Sequence, residues 1–240
     1  ISPHGGKLID RFNPDYKKEI PGKIIEIDEE TLMDIEQIAV GAFSPLEGFM
    51  NENEFHSVVN EMKLSNGIVW SLPIFLSVDE TIKKNINEGN EVALNHKGIT
   101  YGILHLEQIY KINKGEEVKK IFGTNDILHP GVKKFLDSKD YFLGGKITLL
   151  KKLDSPYKAH ELTPKQARKI FSERGWSKIV GFHTRNVIHR SHEFIQLEGM
   201  KRGFCDGLLV HPVIGKKKVG DFEADVIIKT YEIMIKNFYP

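Results

Sequence analysis

The stretch IVGFHTRNVIHRSHEFIQLE at residues 179–198 constrains the fold of this chain more than any other. Ile179, Val180 and Phe182 form a short apolar run with β-branched residues, the pattern of a strand buried in a parallel sheet. Polar residues begin where that strand should end. His183, Thr184, Arg185 and Asn186 are expected to form a tight loop, with Asn186 as the N-cap of a helix starting near Val187. Ile188, Ile195 and Gly199 recur on one face of that helix, beside Phe194 and Leu197. Strand, loop and helix in this order put free N–H groups and the positive end of a helix dipole at the carboxyl edge of a sheet. Anions are favoured there, and open α/β sheets bind their ligands there. Arg185 adds a permanent forked charge suited to phosphate or sulfate. His189 and His192, three apart, share a face in the first two turns and look toward the same anion.

With 240 residues, 40% of them hydrophobic, the chain can bury a sizeable core and fill two domains. Its 34 basic and 33 acidic residues leave a net charge of +1, so no global field attracts nucleic acid or a membrane surface, and neither is expected as a partner. The single cysteine, Cys205, excludes an internal disulfide and is expected to be buried and inert. No apolar run approaches the roughly 18 residues of a membrane helix, and the opening ISPHGGKLID lacks the features of a signal peptide. A cytoplasmic location is the expectation.

The first 150 residues read as β-rich with short helices between. Candidate strands lie at 23–27, 68–78, 91–94, 99–110 and 141–150, separated by turns such as Asn66-Gly67, Gly89-Asn90 and Lys97-Gly98. The pattern changes over the charged, proline-containing stretch 151–161, which predicts a domain boundary at 152/153. Thr163-Pro164 then supplies a cap and a first-turn proline. Beyond it an alternating α/β order is expected: helix 164–174, strand 178–182, loop, helix 187–200, strand 207–211, loop 212–222 and helix 224–238. Along the last helix Ile227, Tyr231, Met234 and Phe238 share a face that needs a partner.

Four separated motifs carry a family resemblance. They are SPHGGKL at 2–8, GAFSPLEGFM at 41–50, FGTNDILHPGV at 122–132, and HTRNVIHRSHE at 183–193 followed by LLVHPVIGKKKVGD at 208–221. Together, in this order and over the whole chain, they resemble the ATP sulfurylases, also called sulfate adenylyltransferases. The resemblance implies an N-terminal domain, residues 1–152, with a PUA-like β-barrel. A Rossmann-like nucleotidyltransferase α/β domain, residues 153–240, would follow it, incomplete at its C-terminus. It further implies that ATP and sulfate are joined into adenosine 5′-phosphosulfate with release of pyrophosphate, that Mg²⁺ comes with ATP, and that the enzyme is a homo-oligomer. In this chain His183 stands where the family usually has Gln, and Val187 where it has Pro. The family's Gly-Arg-Asp-His-Ala-Gly motif, which follows the matched region, is not found in the sequence.

The resemblance assigns Thr184, Arg185 and Asn186 to catalysis, His183 and Arg185 to sulfate, and Thr184, Asn186, His189 and His192 to the phosphates of ATP. Duller readings exist for each. His189 and His192 could belong to a zinc site, but no HExxH pattern is present and no third ligand is evident nearby. Arg190 points away from them. Lys216, Lys217 and Lys218 could reach phosphate or form a solvated face, and His211 could line the site or simply pack. The glycines and prolines of the two middle motifs read as turn formers. The alternatives to a sulfate adenylyltransferase are another nucleotidylyltransferase with a different acceptor, or a non-catalytic fragment or RNA-binding PUA-like module.

Overall fold

The computed structural model describes residues 2–215 and 220–239. Two compact units are present, Ser2–Lys165 and Gln166–Pro240, so the charged stretch 151–161 clusters with the first unit. Lys216, Lys217 and Lys218 lie outside the described residues.

In the first unit, six strands form one sheet among the described residues. They are β1 (Ile24–Glu26), β2 (Gly48–Phe49), β3 (Leu76–Val78), β4 (Glu91–His96), β5 (Ile99–Tyr110) and β6 (Tyr141–Leu149). Pairing runs β1-β4-β5-β6, with β2 and β3 both on β6. All pairs are antiparallel except β1 with β4, and no pairing closes this path into a ring among the described residues. The β4–β5 hairpin forms where the sequence offers it. Lys97 and Gly98 both take positive φ, 51° and 76°, the requirement of the tight turn that matches strand twist.

Helices α1 (Glu29–Ala39), α2 (Glu52–Glu61), α3 (Glu80–Lys83), α4 (Lys114–Phe122) and α5 (Pro130–Leu136) fill the connections. Local chemistry starts them: Asp28 accepts from the Thr31 N–H at 2.8 Å, and Asn51 from the Glu54 N–H at 2.9 Å. Leu32, Ile35 and Ile38 of α1 pack with Leu94, Leu104, Ile147 and Leu149 of the sheet. A second core is aromatic, with Phe55, Tyr110, Phe135 and Phe142 buried together and Phe75 against them. Within it the Tyr110 hydroxyl donates to the Met50 carbonyl at 2.9 Å, which satisfies its polar end.

Strand β2 corrects the reading of GAFSPLEGFM as turns alone. A Cβ on Gly48 would stand 1.9 Å from the Gly145 carbonyl oxygen, so the glycine permits a close strand contact with β6.

The second unit contains α6 (Pro164–Glu173) from Gln166 onward, β7 (Ile179–Thr184), α7 (Arg190–Gly203), β8 (Gly207–Pro212) and α8 (Ala224–Asn237). Strands β7 and β8 are parallel and in register from Ile179↔Gly207 to Thr184↔Pro212. Asp206 fastens their beginnings, accepting from the N–H groups of Ser177 and Lys178 at 2.7 and 2.9 Å. No helix among the described residues is long and apolar enough to cross a membrane.

Four expectations for this unit need correction. The strand runs through His183 and Thr184, and α7 begins at Arg190 rather than near 187, so Asn186 is not its cap. The sheet-facing side of α7 carries His192, Gln196 and Gly199. Gln196 is fully buried and Gly199 sits 3.7 Å from the Val180 methyls, whereas Phe194 and Ile195 are 64% and 55% exposed. On α8, Ile227 and Tyr231 are buried within the chain. The uncovered apolar groups there are Val226, Ile233, Ile235 and Phe238. Cys205, expected to be buried, is partly exposed.

Phe142 is wholly buried at the junction of β6 and the aromatic core. Phe142→Ala should lower the unfolding free energy of the first unit by about 3–5 kcal/mol, since it leaves a cavity among rings that cannot collapse freely. Urea denaturation followed by circular dichroism measures this.

Candidate functional site

The carboxyl edge of β7 gathers the predicted residues. Because β7 and β8 end level with each other, Thr184 and Pro212 mark one boundary, and the Val213 N–H continues the ladder by donating to the Thr184 carbonyl at 2.7 Å. The Thr184 side chain is buried and its Oγ1 accepts from the Asn186 N–H at 3.1 Å. This local turn competes with the helix, and it explains why 185–189 stays outside α7.

Arg185 is exposed, and its Nη2 donates to Asp221 Oδ2 at 2.5 Å, with the Asp221 side chain 17% exposed. Asn186 and His189 are exposed. His189 occupies the N-cap position of α7 without a side-chain capping bond, and His192 lies in the first turn. Their rings sit 3.7 Å apart at 32°, and Phe182 meets the His192 ring edge-on at 5.4 Å. Arg190 points to solvent and pairs with Glu193 at 3.6 Å.

Strand alternation divides the set. Phe182 and Thr184 face α7 and α8. His183 lies on the other face, opposite His211 at 6.3 Å between ring centres. The two sets meet only at the strand end, where Arg185 and Asn186 leave the sheet.

His192 titrates below the ordinary histidine range. Burial is the main cause and the neighbouring His189 ring adds to it, while the Val187 backbone opposes both. Its Nδ1 is buried without a hydrogen bond of ordinary geometry, although that backbone lies close enough to favour the charged ring. The pair therefore presents at least one neutral imidazole at pH 7.

Behind this edge lies a buried polar group that periodicity did not disclose. Gln196 accepts from the Tyr239 hydroxyl, and Tyr231 stands beside Thr184 and Gln196. The Tyr231 hydroxyl and the Gln196 Nε2 have no partner at ordinary hydrogen-bonding geometry. Burial raises both phenols, that of Tyr239 to about 12, so they remain protonated donors. Among the described residues no group of three or more His, Cys, Asp or Glu is placed to hold a metal ion.

Comparison with known proteins adds lineage to this geometry. A PUA-like domain family matches residues 1–152, and the ATP-sulfurylase family matches residues 158–240. Over 99% of its length the chain is 41% identical to the sulfate adenylyltransferase of Ignicoccus hospitalis, and over 100% it is 43% identical to that of a Synechocystis species. Residues 158–240 are thus ATP-sulfurylase-like, and they follow a PUA-like domain. The chain spans 63% of the length of each of these two relatives. A hexameric APS kinase from Thiobacillus denitrificans has the same fold over the whole chain, with a TM-score of 0.74 at 21% identity, the chain covering 45% of it. Within this family fold, the residues that sequence reasoning left without a role are Asp221, Gln196, Tyr231 and Tyr239. Asp221 alone closes a recognised motif, 208–221.

Because the folded state disfavours the charged His192 ring, the unfolded chain takes up its proton first, near the usual value of about 6.5. This contribution to stability is present above that pH and is lost as pH falls toward the lower folded value. NMR titration should show His192 titrating below about 6.5, and His192→Gln should flatten the loss of stability between pH 7 and pH 5. A normal His192 titration would contradict the stacked geometry.

Proposed function

We propose that this chain carries the anion-holding part of a sulfate adenylyltransferase, which joins ATP and sulfate into adenosine 5′-phosphosulfate and releases pyrophosphate. What supports this most is the convergence of Thr184, Arg185, Asn186, His189 and His192 on one carboxyl edge, in a chain about 40% identical to proteins of that name.

In this reading a sulfate oxygen bonds to the α-phosphorus as the bond to pyrophosphate breaks. Sulfate is already ionised, so the work is positioning and charge stabilisation rather than base catalysis. Arg185 holds sulfate with a donor from His183 on the adjoining face. Asn186, His189 and His192 hold phosphate oxygens, with His192 acting as a neutral N–H donor. Thr184 is buried, so its part is to shape the loop whose N–H groups face the phosphates. Mg²⁺ travels on the β and γ phosphates of ATP rather than in a protein cage.

The reading extends to a cytoplasmic homo-oligomer. Phe194, Ile195, Ile235 and Phe238 need cover, which the further length found in the relatives or another copy would supply.

Two measurements test the proposal. Residues 1–240 should bind adenosine 5′-phosphosulfate by calorimetry, and Arg185→Lys, which loses the fork, should weaken that binding at least tenfold. Equal binding by the Lys variant would contradict the assignment. In molybdate-stimulated pyrophosphate release, residues 1–240 should run at least a hundredfold slower than a relative of full length. Replacing His189 or His192 by Ala in that relative's matching positions should cost about a hundredfold, roughly 3 kcal/mol of barrier. Comparable rates for the short and long chains would show the remaining length to be dispensable.

A further inference from the structure

The segment that follows β8 is fastened to the candidate site at both of its described ends. At the start, the Val213 N–H donates to the Thr184 carbonyl at 2.7 Å. At the finish, Asp221 Oδ2 accepts from Arg185 Nη2 at 2.5 Å. The two contacts grip consecutive residues of one strand end. The carboxylate is the better buried partner, with its side chain 17% exposed against 46% for Arg185.

From this geometry we infer that Asp221 is the positioning residue that orients the Arg185 guanidinium toward an oxyanion substrate. The inference rests on the proposed sulfate-holding role of Arg185 and extends it to a group with no assigned part. A guanidinium carries five N–H donors in a rigid fork, so a carboxylate on Nη2 does not exhaust it, and Nε and Nη1 retain donors for an oxyanion. An arginine without this anchor would sample many rotamers at a half-exposed position, and ordering it would then weigh against substrate binding. The opposite effect also has to be weighed. A carboxylate cancels part of the positive charge that attracts sulfate, and if charge dominated, removing it would tighten binding. Orientation should prevail because the site is solvent-facing, where screening weakens the charge effect while the geometric requirement of a bidentate contact stays.

The test uses Asp221→Asn and Asp221→Ala in the chain of residues 1–240, with three readouts. First, the Arg185 Nη resonances of the ligand-free protein should be dispersed by slowed rotation of the guanidinium in the wild type, where Nη2 is bound to Asp221, and should average to the free-arginine position in both variants. Second, equilibrium dialysis with radiolabelled sulfate should show about tenfold weaker binding in the variants. Third, binding of a non-hydrolysable ATP analogue should change less than twofold, which a general loss of folding would not produce. Unchanged or tighter sulfate binding, or an unmoved Arg185 resonance, would overturn the inference. Failure of the wild type to bind either ligand would instead count against the proposed activity. In that case the resonance still decides whether Asp221 holds the guanidinium.

Discussion

The level ending of the parallel β7–β8 pair is the constraint on which the candidate site depends. Register fixes Thr184 beside Pro212, and the Val213 N–H then closes onto the Thr184 carbonyl. With that carbonyl committed and the Thr184 hydroxyl taken by the Asn186 N–H, the backbone turns at 185–189 and cannot yet enter a helix. The turn leaves Arg185 and Asn186 outside the sheet and brings His189 to the N-terminus of α7, stacked on His192. A helix starting three residues earlier would have placed these histidines a turn deeper, away from the dipole's positive end.

The buried side of the same edge has an unusual polarity. α7 presents Gln196 and Gly199 to the sheet, and Tyr231 and Tyr239 of the C-terminal stretch join Gln196. Buried polar side chains are costly unless paired, and here they lie directly beneath Thr184. An apolar replacement would pack as well but would give Thr184 no polar neighbour. The first unit shows the usual economy instead: aliphatic contacts between α1 and the sheet, and an aromatic cluster around Phe142 whose one hydroxyl, on Tyr110, is satisfied.

Much of this was legible in the sequence wherever periodicity and turn chemistry agreed. The strand at 99–110 and the Lys97-Gly98 hairpin read directly, as did the α/β order after Pro164. The family resemblance rested on the motifs at 2–8, 41–50, 122–132, and 183–193 with 208–221. Illegible features share a cause: they are set by partners distant in sequence. Strand β2 is two residues long and reads as turn because its glycine is there for the approach of Gly145. The start of α7 is set by the turn at 184–189, where the Val213 N–H engages the Thr184 carbonyl and the Asn186 N–H its hydroxyl, so the capping preference of Asn186 misleads. The inverted face of α7, with Phe194 and Ile195 outward and Gln196 inward, follows from close packing and a polar cluster that no helical stripe reveals, whereas the stripe of α8 foretold Ile227 and Tyr231 and failed only at Phe238.

The central claim is that the edge at 184–192 holds the anionic groups of the substrates. Co-crystallisation of the chain with adenosine 5′-phosphosulfate tests it most directly. The account predicts the phosphosulfate at the carboxyl end of β7, its sulfate within hydrogen-bonding distance of Arg185 and its phosphate beside His189 and His192. A phosphosulfate bound away from that edge, with Arg185 untouched, would contradict it.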